Sequence, residues 1–242
     1  GLNMAVNSYV HLERLREFED NQILEDYKPT RLSENSKNIL EMSNVDFKYF
    51  GMKELFFERL NLNIEKNKHI IITGPNGSGK STLLGLISGV LKPVSGNISL
   101  STTKIGYVGV KPLIVEGTLQ ENLLYGNKEN VQISKIKDLI NEFDLFQEDE
   151  IVDLNTKINN ESLSSGQFQK IGFIRALLAN VELLVLDEAT SNLDETSKLK
   201  IINHLKKLNI TIINSTNNKE LFDYDQELKI YLEGFSRKVL IY

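Results

Sequence analysis

One segment combines glycines with a lysine and hydroxyl side chains, between a short apolar run and a helical pattern. It reads Gly74-Pro75-Asn76-Gly77-Ser78-Gly79-Lys80-Ser81-Thr82, which has the spacing of a phosphate-binding loop. The glycines allow positive φ and leave room for phosphate beside the backbone, and the amides at the helix start attract anions. Lys80 would add a full charge near the β- and γ-phosphates of a nucleotide, and the Ser81 hydroxyl would ligate Mg²⁺. The alternative interpretation is a glycine-rich turn with an incidental lysine.

Two carboxylates follow a fully apolar run further along the chain. The run Leu183–Leu186 precedes Asp187 and Glu188, and its length and composition predict a buried parallel strand. The carboxyl end of such a strand would bring Asp187 near the phosphate loop, at the same edge of the sheet. Asp187 would then hold the Mg²⁺ shell, and Glu188 would orient or deprotonate the attacking water. An acidic turn after a core strand is the alternative.

A third segment, Leu163-Ser164-Ser165-Gly166-Gln167, stands directly before a strong helical pattern. Ser164 and the amides at the helix start can bind an anion, although a simple helix cap explains the same residues. A phosphate loop alone leaves kinases, GTPases and ATPases open. This pentapeptide, placed between the loop and the acidic strand, resembles the LSGGQ signature of ABC ATPases, with Ser165 in place of a glycine. The resemblance extends over residues 39–242 and is nearest to the nucleotide-binding domains of ABC exporters.

The resemblance implies ATP and Mg²⁺ as cofactors and a second ABC ATPase domain as partner, in a homodimer or a heterodimer. ATP would be held between Gly74–Thr82 of one domain and Ser164, Gly166 and Gln167 of the other. Residues 191–194, Ser-Asn-Leu-Asp, resemble the D-loop that bridges the two domains.

Two further segments match the family. Tyr49 stands where the family stacks an aromatic ring on adenine, with Phe47 or Phe50 as alternatives for this role. Gly117–Asn122 resembles the segment that follows the Q-loop in exporters.

Two positions depart from the family pattern. Val110 replaces the glutamine expected after the strand pattern at 104–108, and Asn217 replaces the histidine expected after the pattern at 210–216. In the family the glutamine contacts the metal and the attacking water, and an apolar side chain does neither. Histidine can carry positive charge to a γ-phosphate, whereas asparagine donates only as a neutral group. The resemblance therefore implies a slow site in this chain.

Strand patterns alternate with helical patterns along the chain. This order predicts an α/β fold with a phosphate-loop, RecA-like parallel-sheet core, an antiparallel β subdomain and an inserted α-helical subdomain at about 111–180. Leu228–Leu232 and Lys238–Ile241 are predicted to form an antiparallel edge pair. Residues 8–20 predict an amphipathic helix, and 25–37 a linker. We therefore divide the chain into 1–38, the end of a missing membrane domain, and 39–242, the ATPase domain.

The charge, the cysteine content and the lengths of the apolar runs limit which partners and which chemistry the chain can have. The chain has 242 residues, a formal net charge of -5 and no cysteine, which disfavours a nucleic-acid surface and excludes disulfide or thiol chemistry. No apolar run approaches the ~18 residues of a membrane span. Together with the resemblance, this predicts a soluble fragment at the cytoplasmic face of a membrane, contacting a membrane domain of the same or another chain.

Four functions remain open from the sequence. The first is an energy-coupling ATPase of a membrane exporter, in which hydrolysis at Glu188 separates two ATP-bound domains. The second is a nucleotide-gated dimerisation module with little turnover, which Val110 and Asn217 favour and the retained Glu188 disfavours. A soluble ABC ATPase acting on nucleic acid is disfavoured by the acidic charge, and a phosphate-loop kinase is disfavoured by the signature pentapeptide.

Overall fold

A computed structural model describes residues 30–127, 130–146, 153–234 and 236–242. The predicted amphipathic helix at residues 8–20 lies outside the described residues. In chain order the elements are β1 (Thr30–Arg31), β2 (Asn38–Phe47), β3 (Phe57–Glu65), β4 (His69–Thr73), α1 (Lys80–Ile87), β5 (Ser95–Leu100), β6 (Ile105–Val108), β7 (Gly117–Thr118), α2 (Leu119–Leu123), α3 (Ile133–Glu142), β8 (Lys157–Ile158), α4 (Ser165–Leu178), β9 (Leu183–Asp187), α5 (Glu195–Leu205), β10 (Thr211–Ser215), β11 (Gln226–Glu233) and β12 (Ser236–Ile241).

The described chain forms two compact units. The first, here called the phosphate-loop unit, contains residues 30–103 and Ile210–Tyr242. The second, here called the helical unit, is Lys104–Asn209. Among the described residues, no helix has both the length and the apolar character needed to cross a bilayer.

The phosphate-loop unit is built on strands in the order β1-β5-β2-β3-β12-β11-β4-β10. β2 pairs antiparallel with both β3 and β5, which gives the predicted antiparallel part. β4 lies between β10 and β11 and is parallel to both. Ile70, Ile71 and Ile72 of β4 are buried, as expected for a strand covered on both faces. This central strand leads directly into the phosphate loop.

Two predictions for this unit need correction. β11 and β12 do pair antiparallel, but they are not at an edge, because β11 also pairs with β4 and β12 with β3. The burial of Leu228 and Ile230 explains the interior position of β11. The predicted linker at 25–37 contains strand β1, in which Thr30 pairs with Ser99 of β5.

The helical unit contains the parallel pair β6 and β9 and the short antiparallel pair β7 and β8. Within the predicted helical subdomain, α2 and α3 are separate helices, and Gly126 lies between them at φ 77°. The apolar face of α3 is buried through Ile136, Leu139 and Ile140. Ile133, the first residue of α3, is 55% exposed.

Candidate functional site

The segment Gly74–Thr82 forms a compact loop that ends in helix α1. Its three glycines all have positive φ: 147° at Gly74, 77° at Gly77 and 109° at Gly79. Gly79 is the N-cap of α1 in the left-handed region, where glycine avoids the strain that other residues incur. The Ser78 amide donates to the Pro75 carbonyl at 3.1 Å and closes the turn.

Packing also requires two of these glycines. A Cβ added at Gly74 would lie 2.6 Å from the carbonyl oxygen of Ile230, and one at Gly79 would lie 2.7 Å from Cε1 of Phe56. By contrast, a Cβ at Gly77 would meet no atom within 4 Å. The loop is therefore held by backbone and aromatic neighbours at its two ends and is open in its middle.

Lys80 crosses over the loop that precedes it. Its Nζ donates to the carbonyl oxygens of Gly74 at 3.0 Å and Pro75 at 3.4 Å, and the residue is only 6% exposed. Both of these acceptors are neutral, and a buried ammonium group is more stable beside an anion. The buried Ser78 Oγ has no hydrogen-bond partner among the described residues. A buried cation, an unused hydroxyl and the amides of a helix start fit an anionic phosphate group.

Tyr49 is fixed beside α1. Its hydroxyl lies 2.6 Å from Oγ1 of Thr82, and its ring makes edge-to-face contacts with Phe47 at 5.0 Å and Phe56 at 5.3 Å. Phe47 is buried in the core, whereas Phe50 is 72% exposed. Tyr49 therefore contacts the phosphate-loop helix directly.

Arg237 is a residue of this region that the sequence reasoning missed. Its guanidinium carbon lies 3.8 Å from the ring centroid of Phe56, and its amide donates to the Phe56 carbonyl at 3.1 Å. Phe56 is the ring that approaches Gly79. No short-range pattern could reveal this stack, because the two residues are far apart in the sequence.

Asn217 follows β10, which ends at Ser215. The residue is exposed, and beside it the Asn218 amide donates to Oγ1 of Thr216 at 3.1 Å. Asn217 belongs to the phosphate-loop unit, as do Tyr49 and Lys80.

The helical unit holds the acidic pair. β9 ends at Asp187, and Glu188 follows at φ 49° in a turn closed by a hydrogen bond from the Ser191 amide to the Glu188 carbonyl. The Tyr107 hydroxyl donates to Oδ2 of Asp187 at 2.9 Å. Burial, together with the neighbouring negative charge of Asp187, raises the pKa of Tyr107. The tyrosine therefore stays protonated and remains a donor.

The signature segment forms a capping box at the start of α4. Ser164 Oγ accepts from the Gln167 amide at 3.2 Å, and Gln167 Oε1 accepts from the Ser164 amide at 2.8 Å. Gln167 Nε2 also donates to the Leu145 carbonyl at 3.2 Å. The helix-cap interpretation is thus correct for the folded chain. Ser164 and Ser165 are exposed nonetheless.

Val110 contributes a backbone carbonyl to a small polar network in the helical unit. This oxygen accepts from Gln169 Nε2 at 3.3 Å and from Asn192 Nδ2 at 3.4 Å. Gln169 Oε1 accepts in turn from the Asn192 amide at 3.0 Å. The Val110 side chain is 43% exposed. Gln169, which the sequence reasoning did not select, therefore joins the segment at Val110 to the predicted D-loop.

Comparison with known proteins identifies the family to which this chain belongs. The family profile described as "ABC transporter" matches residues 57–191, more than half of the chain. The chain therefore belongs to the ABC transporter family.

Its relatives include a transport/processing protein of a bacterium and a permease of a fungus. The lactococcin-A transport/processing ATP-binding protein LcnC of Lactococcus lactis subsp. lactis is 36% identical over 203 residues, which is 77% of this chain and 28% of LcnC. The ATP-dependent permease MDL1 of Candida albicans is 34% identical over 191 residues, 70% of this chain and 27% of MDL1. The chain thus spans less than a third of the length of these relatives.

A solved structure supports the fold. The structure of a bacterial Atm1-family ABC exporter with ATP bound aligns with a TM-score of 0.74, at 20% identity, over 87% of this chain and 40% of that one. The predicted α/β fold of an ABC ATPase is confirmed by this likeness. The enzyme class, an ATPase, follows from the family.

Proposed function

We propose that this chain is the ATP-driven motor of a membrane exporter. The observation that carries the proposal is the phosphate loop, in which Lys80 is buried against neutral carbonyls at the start of α1. An uncompensated cation among helix-start amides suits the polyphosphate of ATP. Membership of the ABC transporter family supports ATP as the nucleotide.

We assign the following roles around Mg-ATP. The amides of Gly74–Thr82 and Lys80 bind the phosphates, and Tyr49 binds the adenine ring. The Ser81 hydroxyl and the Asp187 carboxylate hold Mg²⁺, and Glu188 activates water. Among the described residues, no group of three or more His, Cys, Asp or Glu side chains is arranged to hold a metal ion by itself. Mg²⁺ bound through a nucleotide needs only one or two carboxylates beside the phosphate oxygens, so this small set suffices.

The proposed partner is a second ABC ATPase domain. Ser164, Gly166 and Gln167 would contact ATP bound by that partner, using the exposed start of α4. The negative charge of the bound ATP phosphates is neutralised only when both domains contribute donors. We therefore expect a monomer without nucleotide and a dimer with Mg-ATP. The proposed location is the cytoplasmic face of a membrane, in contact with a membrane domain. We place residues 1–38 as the connection to that domain and residues 39–242 as the ATPase domain.

Val110 and Asn217 favour a second candidate. The Val110 side chain presents no polar group, and Asn217 cannot carry positive charge. Removing one positioned donor from a catalytic site slows reactions by roughly 10²–10³. A chain with both changes would bind Mg-ATP, dimerise and turn over slowly, as a nucleotide-gated module in a heterodimeric transporter.

Light scattering and ATPase assays on the same sample separate the two candidates. A dimer that appears with Mg-ATP and hydrolyses it supports the motor. A dimer that persists without turnover supports the gated module. Failure of the chain to bind Mg-ATP would overturn both.

A further inference from the structure

Tyr107 is a buried tyrosine whose hydroxyl contacts a carboxylate with a proposed metal role. It lies on β6, opposite Val185 of the parallel strand β9. Its hydroxyl reaches two residues further along β9 and donates to Oδ2 of Asp187 at 2.9 Å. Asp187 is half-buried, so this hydrogen bond lies at the boundary between core and surface.

The strand register explains why a tyrosine can do this. Val185 and Asp187 project to the same face of β9, since side chains alternate along a strand. The Tyr107 ring is buried, and burial in a packed core leaves it little rotational freedom. The position of the hydroxyl is therefore set by the β6–β9 pairing.

The Asp187 carboxylate has two oxygens, and a hydrogen bond from a fixed donor to one oxygen sets the orientation of both. With Oδ2 held by Tyr107, rotation of Asp187 about its terminal bond is restricted. Groups that hydrogen-bond to metal-binding carboxylates commonly orient them, and their removal typically costs roughly 10–100-fold in metal affinity or activity.

We propose that Tyr107 is a positioning residue that holds Oδ2 of Asp187 and so presents Oδ1 to the Mg²⁺ of Mg-ATP. The inference rests on the proposed role of Asp187 as a metal ligand. Tyr107 itself touches neither metal nor nucleotide and acts only through Asp187. Phenylalanine at this position would keep the buried ring and lose the donor.

The test measures metal binding without turnover. Mn²⁺ replaces Mg²⁺ and is titrated, with detection by electron paramagnetic resonance, into the 242-residue chain held in excess over a non-hydrolysable ATP analogue, so that the analogue is protein-bound. The variants are Tyr107→Phe, Asp187→Asn and the double variant. The control is Tyr125→Phe. Tyr125 lies in the same unit, and the guanidinium carbon of Arg175 lies 5.6 Å from the centroid of its ring. Analogue binding in EDTA reports whether the nucleotide site itself is intact.

We expect Tyr107→Phe to raise the half-saturating Mn²⁺ concentration about 10-fold, the low end of the range for such partners, with analogue binding in EDTA unchanged. Tyr125→Phe should leave both values unchanged. The double variant should bind Mn²⁺ no more weakly than Asp187→Asn alone, because Tyr107 acts through Asp187. This non-additivity would not arise from a purely structural role.

Two results would overturn the inference, and they are distinguishable. If Asp187→Asn weakens Mn²⁺ binding but Tyr107→Phe does not, Tyr107 has no positioning role and the proposed metal site stands. If Asp187→Asn has no effect, the metal role of Asp187 is wrong and the inference fails with it. Should Tyr107→Phe not fold, Tyr107→Leu offers a smaller buried apolar side chain without a donor, and its half-saturating Mn²⁺ concentration is compared with that of the native chain in the same way.

Discussion

Gly79→Ala tests how the phosphate loop is held. Gly79 has φ 109°, and an added Cβ would lie 2.7 Å from Cε1 of Phe56 and 3.2 Å from Cζ of Phe57. Gly77→Ala is its matched control, because Gly77 has φ 77° but a Cβ there would meet no atom within 4 Å. The pair separates backbone strain from loss of packing space within one loop.

The magnitude follows from these two terms. An alanine at left-handed φ costs about 1–2 kcal/mol in either variant. Overpacking adds about 1–3 kcal/mol, and only Gly79→Ala incurs it. The Phe56 ring cannot simply move away, because the guanidinium of Arg237 stacks 3.8 Å from its centroid. We therefore expect losses in unfolding free energy of about 2–5 kcal/mol for Gly79→Ala and about 1–2 kcal/mol for Gly77→Ala.

Urea unfolding followed by circular dichroism measures both variants. Phe56→Leu added to Gly79→Ala should recover part of the loss, because the smaller side chain makes room for the new Cβ. Equal destabilisation by Gly79→Ala and Gly77→Ala, without recovery by Phe56→Leu, would refute the packing argument.

Three further predictions follow, two from the site and one from an ion pair of the phosphate-loop unit. Glu188→Gln should keep ATP binding, slow turnover and prolong the ATP-bound dimer in gel filtration, because the carboxylate that activates water is lost. Asn217→His should raise the steady-state ATPase rate more than Val110→Gln does, since histidine restores a donor that can carry charge. The pKa of Asp225 is lowered by a hydrogen bond from the His69 amide and by Lys68. Its stabilising contribution is therefore present at neutral pH and lost as the pH falls through the acidic range, so Asp225→Asn should lower the urea midpoint more at pH 7 than at pH 3.

Each of these outcomes can fail in a defined way. Unchanged turnover in Glu188→Gln would show that another group activates water. Vigorous turnover of the native chain, with no gain from Asn217→His, would mean that a different residue fills the switch role. A loss in Asp225→Asn that is the same at both pH values would show that the carboxylate charge does not stabilise the fold.

The elements around the phosphate loop were predictable because each has a local signature. The apolar run before Gly74 predicts β4, the glycine spacing predicts the loop, and the run Leu183–Leu186 predicts β9; the structure contains all three. These patterns depend on neighbours in sequence, where periodicity and turn chemistry are informative. The ABC ATPase class was predictable from Leu163–Gln167 in the same way, and the family match confirms it.

Features that depend on distant residues were not predictable. β11 and β12 have the apolar alternation of an edge pair, and nothing in that alternation says that β4 and β3 occupy their other sides. The Arg237–Phe56 stack and the Tyr107–Asp187 hydrogen bond join residues from separate strands. Their geometry is set by strand order and register, which a single sequence does not specify.

Calorimetric titration of Mg-ATP into the native chain and Lys80→Ala tests the central claim, with Lys53→Ala as an exposed-lysine control from the same unit. We predict that the native chain and Lys53→Ala bind alike. Lys80→Ala should bind roughly 10- to 100-fold more weakly, the loss expected for one charged hydrogen bond to phosphate. Equal affinity of all three proteins for Mg-ATP would contradict the assignment of Gly74–Thr82 as the nucleotide site.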